Sequence, residues 1–215
     1  MPARLQKQID KIKKEILSLG AMVEERLQKA VNAVKNENLD LAQKIIDTDI
    51  QIDEREIEVE EECLKILALY QPVAMDLRFL VAVIKINNDL ERIADYAANI
   101  ALRFKTSCKD PGKFRYDYTA MADLTAKMLR MSLDALVQMD VDMVYSVREM
   151  DENVNKMRDE AYDIMKKDIR KYPDKVGKII NMYLISRHLE RIGDHTTNIA
   201  EEVIYLIEGE IIRHT

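Results

Sequence analysis

Two carboxylate pairs, Glu91 with Asp95 and Glu190 with Asp194, recur at a spacing of four. On a helix that spacing puts both side chains of a pair on one face, a turn apart. At about 100° per residue the first pair falls nearly opposite the apolar positions Leu90, Ile93, Ala97 and Ile100. Asn88 and Asn99 lie along the first pair's stripe, and Asn198 lies beyond the second pair. Another acidic stripe, Asp49, Asp53, Glu56 and Glu60, precedes the first pair. Its counterpart in the second half keeps Asp151 but has Asn155 where the first half has Asp53. Carboxylates gathered this way repel one another unless positive charge sits among them. A hard cation (iron, manganese, magnesium, calcium or zinc) held by oxygen ligands from two helices would supply it. Arginine and lysine from neighbouring helices would do the same through salt bridges, and Arg92 and Arg191 recur with the pairs. An isolated acidic pair is most often a solvated face. Recurrence in the same frame of both halves weighs against that plain reading and leaves cation and salt bridge both open.

His188 occupies the slot of Asp89, and His195 that of Tyr96. Each is a candidate ligand, with an exposed helix histidine as the simpler reading. Nothing else in the sequence suggests chemistry. There is no phosphate-cradling glycine loop, no Ser/His/Asp or Cys/His arrangement and no nucleotide motif. The Glu-x-x-His of di-iron bundle enzymes is absent. The expectation is a protein that is not an enzyme. The alternative is a metal-dependent enzyme or iron-handling helical protein that uses the same carboxylates.

The elements that must position these residues follow from periodicity. Leu5, Ile9, Ile12, Ile16, Leu19 and Val23 alternate spacings of four and three, and Leu27, Ala30 and Val34 extend the stripe. This is the seam of helices packed lengthwise. The polar turn Asn36-Glu37-Asn38 ends the first helix. The second is expected over residues 39–70, where Pro72 forces a break. The third covers 74–104, with Ile86, Leu90, Ile93, Ala97, Ile100 and Phe104 along its seam. Residues 105–115, with Pro111-Gly112, form the one loop-like stretch of any length, and the domain boundary is placed there. Three further segments, 116–139, 141–171 and 174–208, are separated by Asp140 and Pro173. The fifth carries Met143, Val147, Met150, Val154, Met157, Ala161 and Ile164, its methionines reading as core filler. Each long helix would span about 45 Å.

The halves share sequence as well as pattern. The segment Leu90-Glu91-Arg92-Ile93-Ala94-Asp95-Tyr96-Ala97-Ala98-Asn99-Ile100-Ala101 aligns with Leu189-Glu190-Arg191-Ile192-Gly193-Asp194-His195-Thr196-Thr197-Asn198-Ile199-Ala200, and eight of twelve positions are identical. Leu39-Asp40-Leu41 corresponds to Val141-Asp142-Met143 at the start of each half's second helix. The fold class is therefore all-α: two tandem repeated three-helix bundles of six long helices, residues 1–106 and 114–215. Five glycines, four prolines and no tryptophan suit long helices. A net charge of −6 argues against nucleic-acid binding, which needs a basic footprint. The longest apolar run, residues 79–84, is far short of the ~20 residues that cross a bilayer. Residues 1–14 lack a signal peptide's apolar core. Two cysteines, Cys63 and Cys108, far apart, fit free thiols in a reducing cytoplasm.

The repeated Glu-Arg-Ile-x-Asp-x-x-x-Asn-Ile-Ala, with Gln71-Pro72-Val73-Ala74-Met75-Asp76-Leu77-Arg78 ahead of its first copy, closely resembles the PhoU family over almost the whole chain. The resemblance implies a cytoplasmic negative regulator of the phosphate regulon. Its partners would be the ATPase subunit of the phosphate ABC transporter and the phosphate-sensing histidine kinase, and it would be a homodimer. It implies no membrane insertion and no nucleic-acid partner. It also implies metal ligands, carried over as Asp49, Asp53, Glu91 and Asp95 in the first half and Asp151, Glu190 and Asp194 in the second. Ala94 and Tyr96 depart from the family's Gly and His in the first copy, and Asn155 replaces an acid in the second. On that pattern the second site is the weaker one, or is completed by His188.

Overall fold

The computed structural model describes residues 2–48, 50–109 and 116–209. The chain forms α1 (Pro2–Lys35), α2 (Leu39–Asp47), α3 (Ile50–Tyr70), α4 (Ala74–Ser107), α5 (Thr119–Gln138), α6 (Val141–Lys171) and α7 (Val176–Glu208), with a 3₁₀ turn at Pro173–Lys175. No strand occurs among the described residues. These are the six long segments read from the sequence, arranged as two repeated three-helix bundles: α1, α2 with α3, and α4, then α5, α6 and α7. Pro111 and Gly112 of the proposed boundary lie outside the described residues.

The second segment is interrupted, which periodicity does not show. Arg26 of α1, buried, donates to the carbonyls of Ile45 (2.9 Å) and Thr48 (3.2 Å). Thr48 Oγ1 turns back onto the carbonyl of Lys44 at 2.8 Å. Carbonyls at a helix end have no partner within the helix and need one from elsewhere. A guanidinium reaching in from the neighbouring helix meets that need and stabilises the break. Two helix starts carry side-chain caps. Asn38 accepts from Leu41 N at the head of α2, and Asp140 accepts from Asp142 N and Met143 N at the head of α6.

Along α1 the seam residues from Ile9 to Ala30 are buried, and Leu5 and Val34 are partly covered. Every seam residue expected on α4 is buried. Each such Leu or Ile contributes about 1.5–3 kcal/mol. On α6 the stripe runs differently from its reading in the sequence. Val144, Val147, Val154, Ala161 and Met165 are buried, the three methionines only partly, and Ile164 is exposed. The buried series keeps a three-four alternation only if Asp151 and Arg158 are counted within it. Two charged residues thus interrupt an apolar seam, and they need partners there.

The most extensive helix contact joins the halves: α4 lies antiparallel against α7. Lys85 pairs with Glu202 (2.9 Å), Asp89 with His195 (2.7 Å), and the Tyr96 ring meets that of His188 (centroids 5.7 Å apart). Because His188 takes the slot of Asp89, and His195 that of Tyr96, the last two contacts are images of each other. The duplicated helices therefore meet about a local two-fold axis.

Candidate metal centre

In the first half α3 and α4 bring Asp53, Glu56, Glu91 and Asp95 together. Every one of the four is partly covered. Glu91 and Asp95 do not lie opposite the seam as their angular position suggests. They sit at its edge facing α3, while Asn88 and Arg92 take the solvent side. Packing of α3 against the flank of α4 is what covers them.

Their electrostatics follow from that placement. The Glu91 carboxyl is pushed above its ordinary range, first by burial, then by Asp95, with Asp53 and Glu56 adding to the shift and Arg92 opposing it. Glu56 is raised by burial, Glu60 and Asp53. Among the described residues one cation is close: Arg92 lies 3.5 Å from Glu91 and 3.8 Å from Asp95, from a half-exposed position. Asn87, wholly buried, donates to both the carbonyl and Oε1 of Glu56 at 2.9 Å, and its own Oδ1 has no partner. The donor set is oxygen-only and anionic, with unmet charge and an unused buried acceptor beside it. By chemistry it suits a hard cation. Among the described residues no three His, Cys, Asp or Glu side chains stand where they could hold a metal ion, and Asp49 lies outside those residues.

The second half treats the same motif differently. Glu190 is buried and accepts from Arg187 at 2.5 and 2.6 Å, with Arg158 3.8 Å away. Asp194 accepts from Arg191 at 3.0 Å. Burial and Asp194 still raise the Glu190 carboxyl, against the pull of Arg187, Arg158 and Arg191. Asp151 packs against Gly193, where an added methyl would stand 2.9 Å from Oδ1. It accepts from Asn155 at 3.0 Å, and its Oδ1 has no partner. Burial, then Asp194, push Asp151 up to about 6. Glu190 faces neither solvent nor an open cation position, unlike its expected outward placement. Arg187 and Arg158 already balance Glu190, and Arg191 balances Asp194; Asp151 has no guanidinium partner.

The histidines belong to neither cluster. His188, expected on an exposed face or completing the second site, lies at the contact between halves, stacked near Tyr96. Burial, then Arg103, lower it to about 4, and its Nε2 has no partner. His195 bonds to Asp89 and lies beside the same tyrosine ring. Tyr116 and Tyr118 pack together ahead of α5, with Tyr118 donating to the carbonyl of Met182 at 2.6 Å. His214 lies outside the described residues. Asn87, Arg158, Arg187 and Gly193 escaped the sequence reading. Arg158 had a visible signal: aligning the starts of α2 and α6 puts it in the slot of Glu56.

The PhoU domain profile matches twice, over residues 16–104 and 118–203. The phosphate-specific transport system accessory protein PhoU homolog of Pseudomonas aeruginosa is 35% identical over 210 residues, 96% of this chain and 86% of that protein. The homolog of Aquifex aeolicus is 34% identical over 216 residues, 98% of this chain and 96% of that protein. The crystal structure of PhoU from P. aeruginosa superposes with a TM-score of 0.91 at 34% identity, covering 95% of this chain and 99% of that one. The phosphate transport system regulatory protein PhoU of Streptococcus pneumoniae gives 0.87 at 27% identity, covering 98% and 100%.

Proposed function

The chain belongs to the PhoU family, and from that premise we propose that it is a non-catalytic negative regulator of the phosphate regulon, acting in the cytoplasm by contact. It couples the ATPase subunit of the phosphate ABC transporter to the phosphate-sensing histidine kinase, as a homodimer. When phosphate is plentiful it holds the kinase signal off and restrains uptake. The observation that carries this reading is the full-length match, at a TM-score of 0.91, to a PhoU protein. The relatives' names, accessory or regulatory protein, support the absence of catalysis. No helix among the described residues is long and apolar enough to cross a membrane, which fits a partner that docks onto membrane proteins rather than entering the bilayer.

The physical means is a stiff scaffold. Two bundles joined through α4 and α7 present fixed faces, and the duplication gives two related but unequal ones. A cation drawn from iron, manganese, magnesium, zinc or calcium is the ligand that the family resemblance implies for the first half; Asp53, Glu91 and Asp95 would have to close on one another, with Glu56 alongside, to hold it. Once bound it would supply the positive charge that these carboxylates lack. Glu56 and Asn87 tie α3 to α4 beneath that face. The test is phosphate transport in cells lacking the gene. Uptake in phosphate-rich medium should rise above the parent level; unchanged uptake would contradict the regulatory role.

A further inference from the structure

The duplicated helices can be compared slot by slot, and the second half has changed sign where it matters. Aligned from Leu39 and Val141, Glu56 of α3 corresponds to Arg158 of α6, Asp53 to Asn155, and Glu60 to Tyr162. Aligned from Leu90 and Leu189, Asn88 of α4 corresponds to Arg187 of α7. Glu91 therefore faces Glu56 and one loose arginine, whereas its equivalent Glu190 faces Arg158 and Arg187.

We propose that the two carboxylate faces have become different devices: in the second half guanidinium groups stand where the first half would place a cation, so that half binds no metal and its ions are structural. The claim that metal sits on the first half alone rests on the cation reading above. The claim that the second half is neutralised by arginine does not.

Three observations carry it. The short contacts of Arg187 to both oxygens of Glu190 use up that carboxylate. Arg158 sits within the seam of α6, an expensive place for a charge without partners; it pairs with Asp159 on its own helix at 3.1 Å and reaches Glu190 of α7 at 3.8 Å. Arg191 holds Asp194. Asp151 alone remains, with one free oxygen pressed against Gly193. One carboxylate does not make a metal site, and a proton suffices for it.

Two measurements on the full-length, chelator-stripped protein test this. In the first, thermal unfolding without metal compares Glu190→Gln with Glu91→Gln. Removing the charge of Glu190 takes the acid from Arg187 and leaves Arg158 with Asp159 alone, so the midpoint should fall by about 5 °C or more. Removing that of Glu91 relieves repulsion, so its midpoint should hold or rise. If Glu190→Gln does not fold, Asp194→Asn replaces it, with a smaller fall expected against Asp95→Asn. Equal responses of the paired variants would overturn the proposal.

In the second, Mn2+ is titrated and counted by its paramagnetic resonance. The double variant Glu91→Gln/Asp95→Asn should lose the bound ion, and Asp194→Asn should keep it with affinity changed less than about three-fold. Loss of Mn2+ in Asp194→Asn would overturn the proposal. If the parent binds none, the cation reading of the first half falls, and the unfolding comparison alone decides the arginine claim.

Discussion

Asp89 of α4 and His195 of α7 meet at 2.7 Å across the junction of the two halves, and their contact is the two-fold image of the one between Tyr96 and His188. One gene segment, doubled, thus packs against its own copy. One of the paired contacts has become a polar link and the other an aromatic one.

That link should be energetically real because both side chains are mostly covered. A double-mutant cycle of Asp89→Asn and His195→Gln, followed by chemical denaturation, should give a coupling of about 0.5–1.5 kcal/mol. Additive effects would mean that the bond contributes nothing to holding the halves together.

Asp151 makes a prediction about pH. Its folded carboxyl is raised to about 6 from a reference of 3.8, so the native state holds a proton that the unfolded chain has lost. Its contribution is present below about pH 4 and is lost as pH rises through 6. Against Asp151→Asn, which cannot titrate, the metal-free parent should therefore lose stability between pH 4 and 7. Melting curves across that range check it; parallel pH profiles for the two proteins would refute the assignment.

Arg26 makes a prediction about the break in the second helical segment. Arg26→Met keeps the stem but leaves the carbonyls of Ile45 and Thr48 without their donor. The expected loss is about 1.5–3 kcal/mol. Amide exchange should quicken most in α2. Uniform exchange with no loss of stability would show that the guanidinium does not hold the break.

The helix ends and the seams of α1 and α4 were legible in the sequence because both are written locally, in prolines, caps and three-four spacing. Ile93 and Ala97 are buried where periodicity places them. What was not legible depends on which helix lies against which. The interruption at Thr48 is set by an arginine about six turns earlier in the chain, on another helix. Glu190 has the same local sequence as Glu91, yet it is buried among arginines because α6 offers Arg158 where α3 offers Glu56. Ile164 fits the stripe of α6 by count, but Met165 takes the buried place, since the true seam passes through Asp151 and Arg158. Charged residues inside a seam hide it from a search for apolar ones.

The most direct test of the account is alkaline phosphatase activity in phosphate-rich medium, in cells lacking the gene and complemented with either the parent or Glu91→Gln/Asp95→Asn. Loss of the gene should derepress the enzyme, the parent should restore repression, and the first-half variant should fail to restore it while accumulating to the same level. Full repression without the gene would contradict the regulatory role. Full repression by the variant would detach the carboxylate face from it.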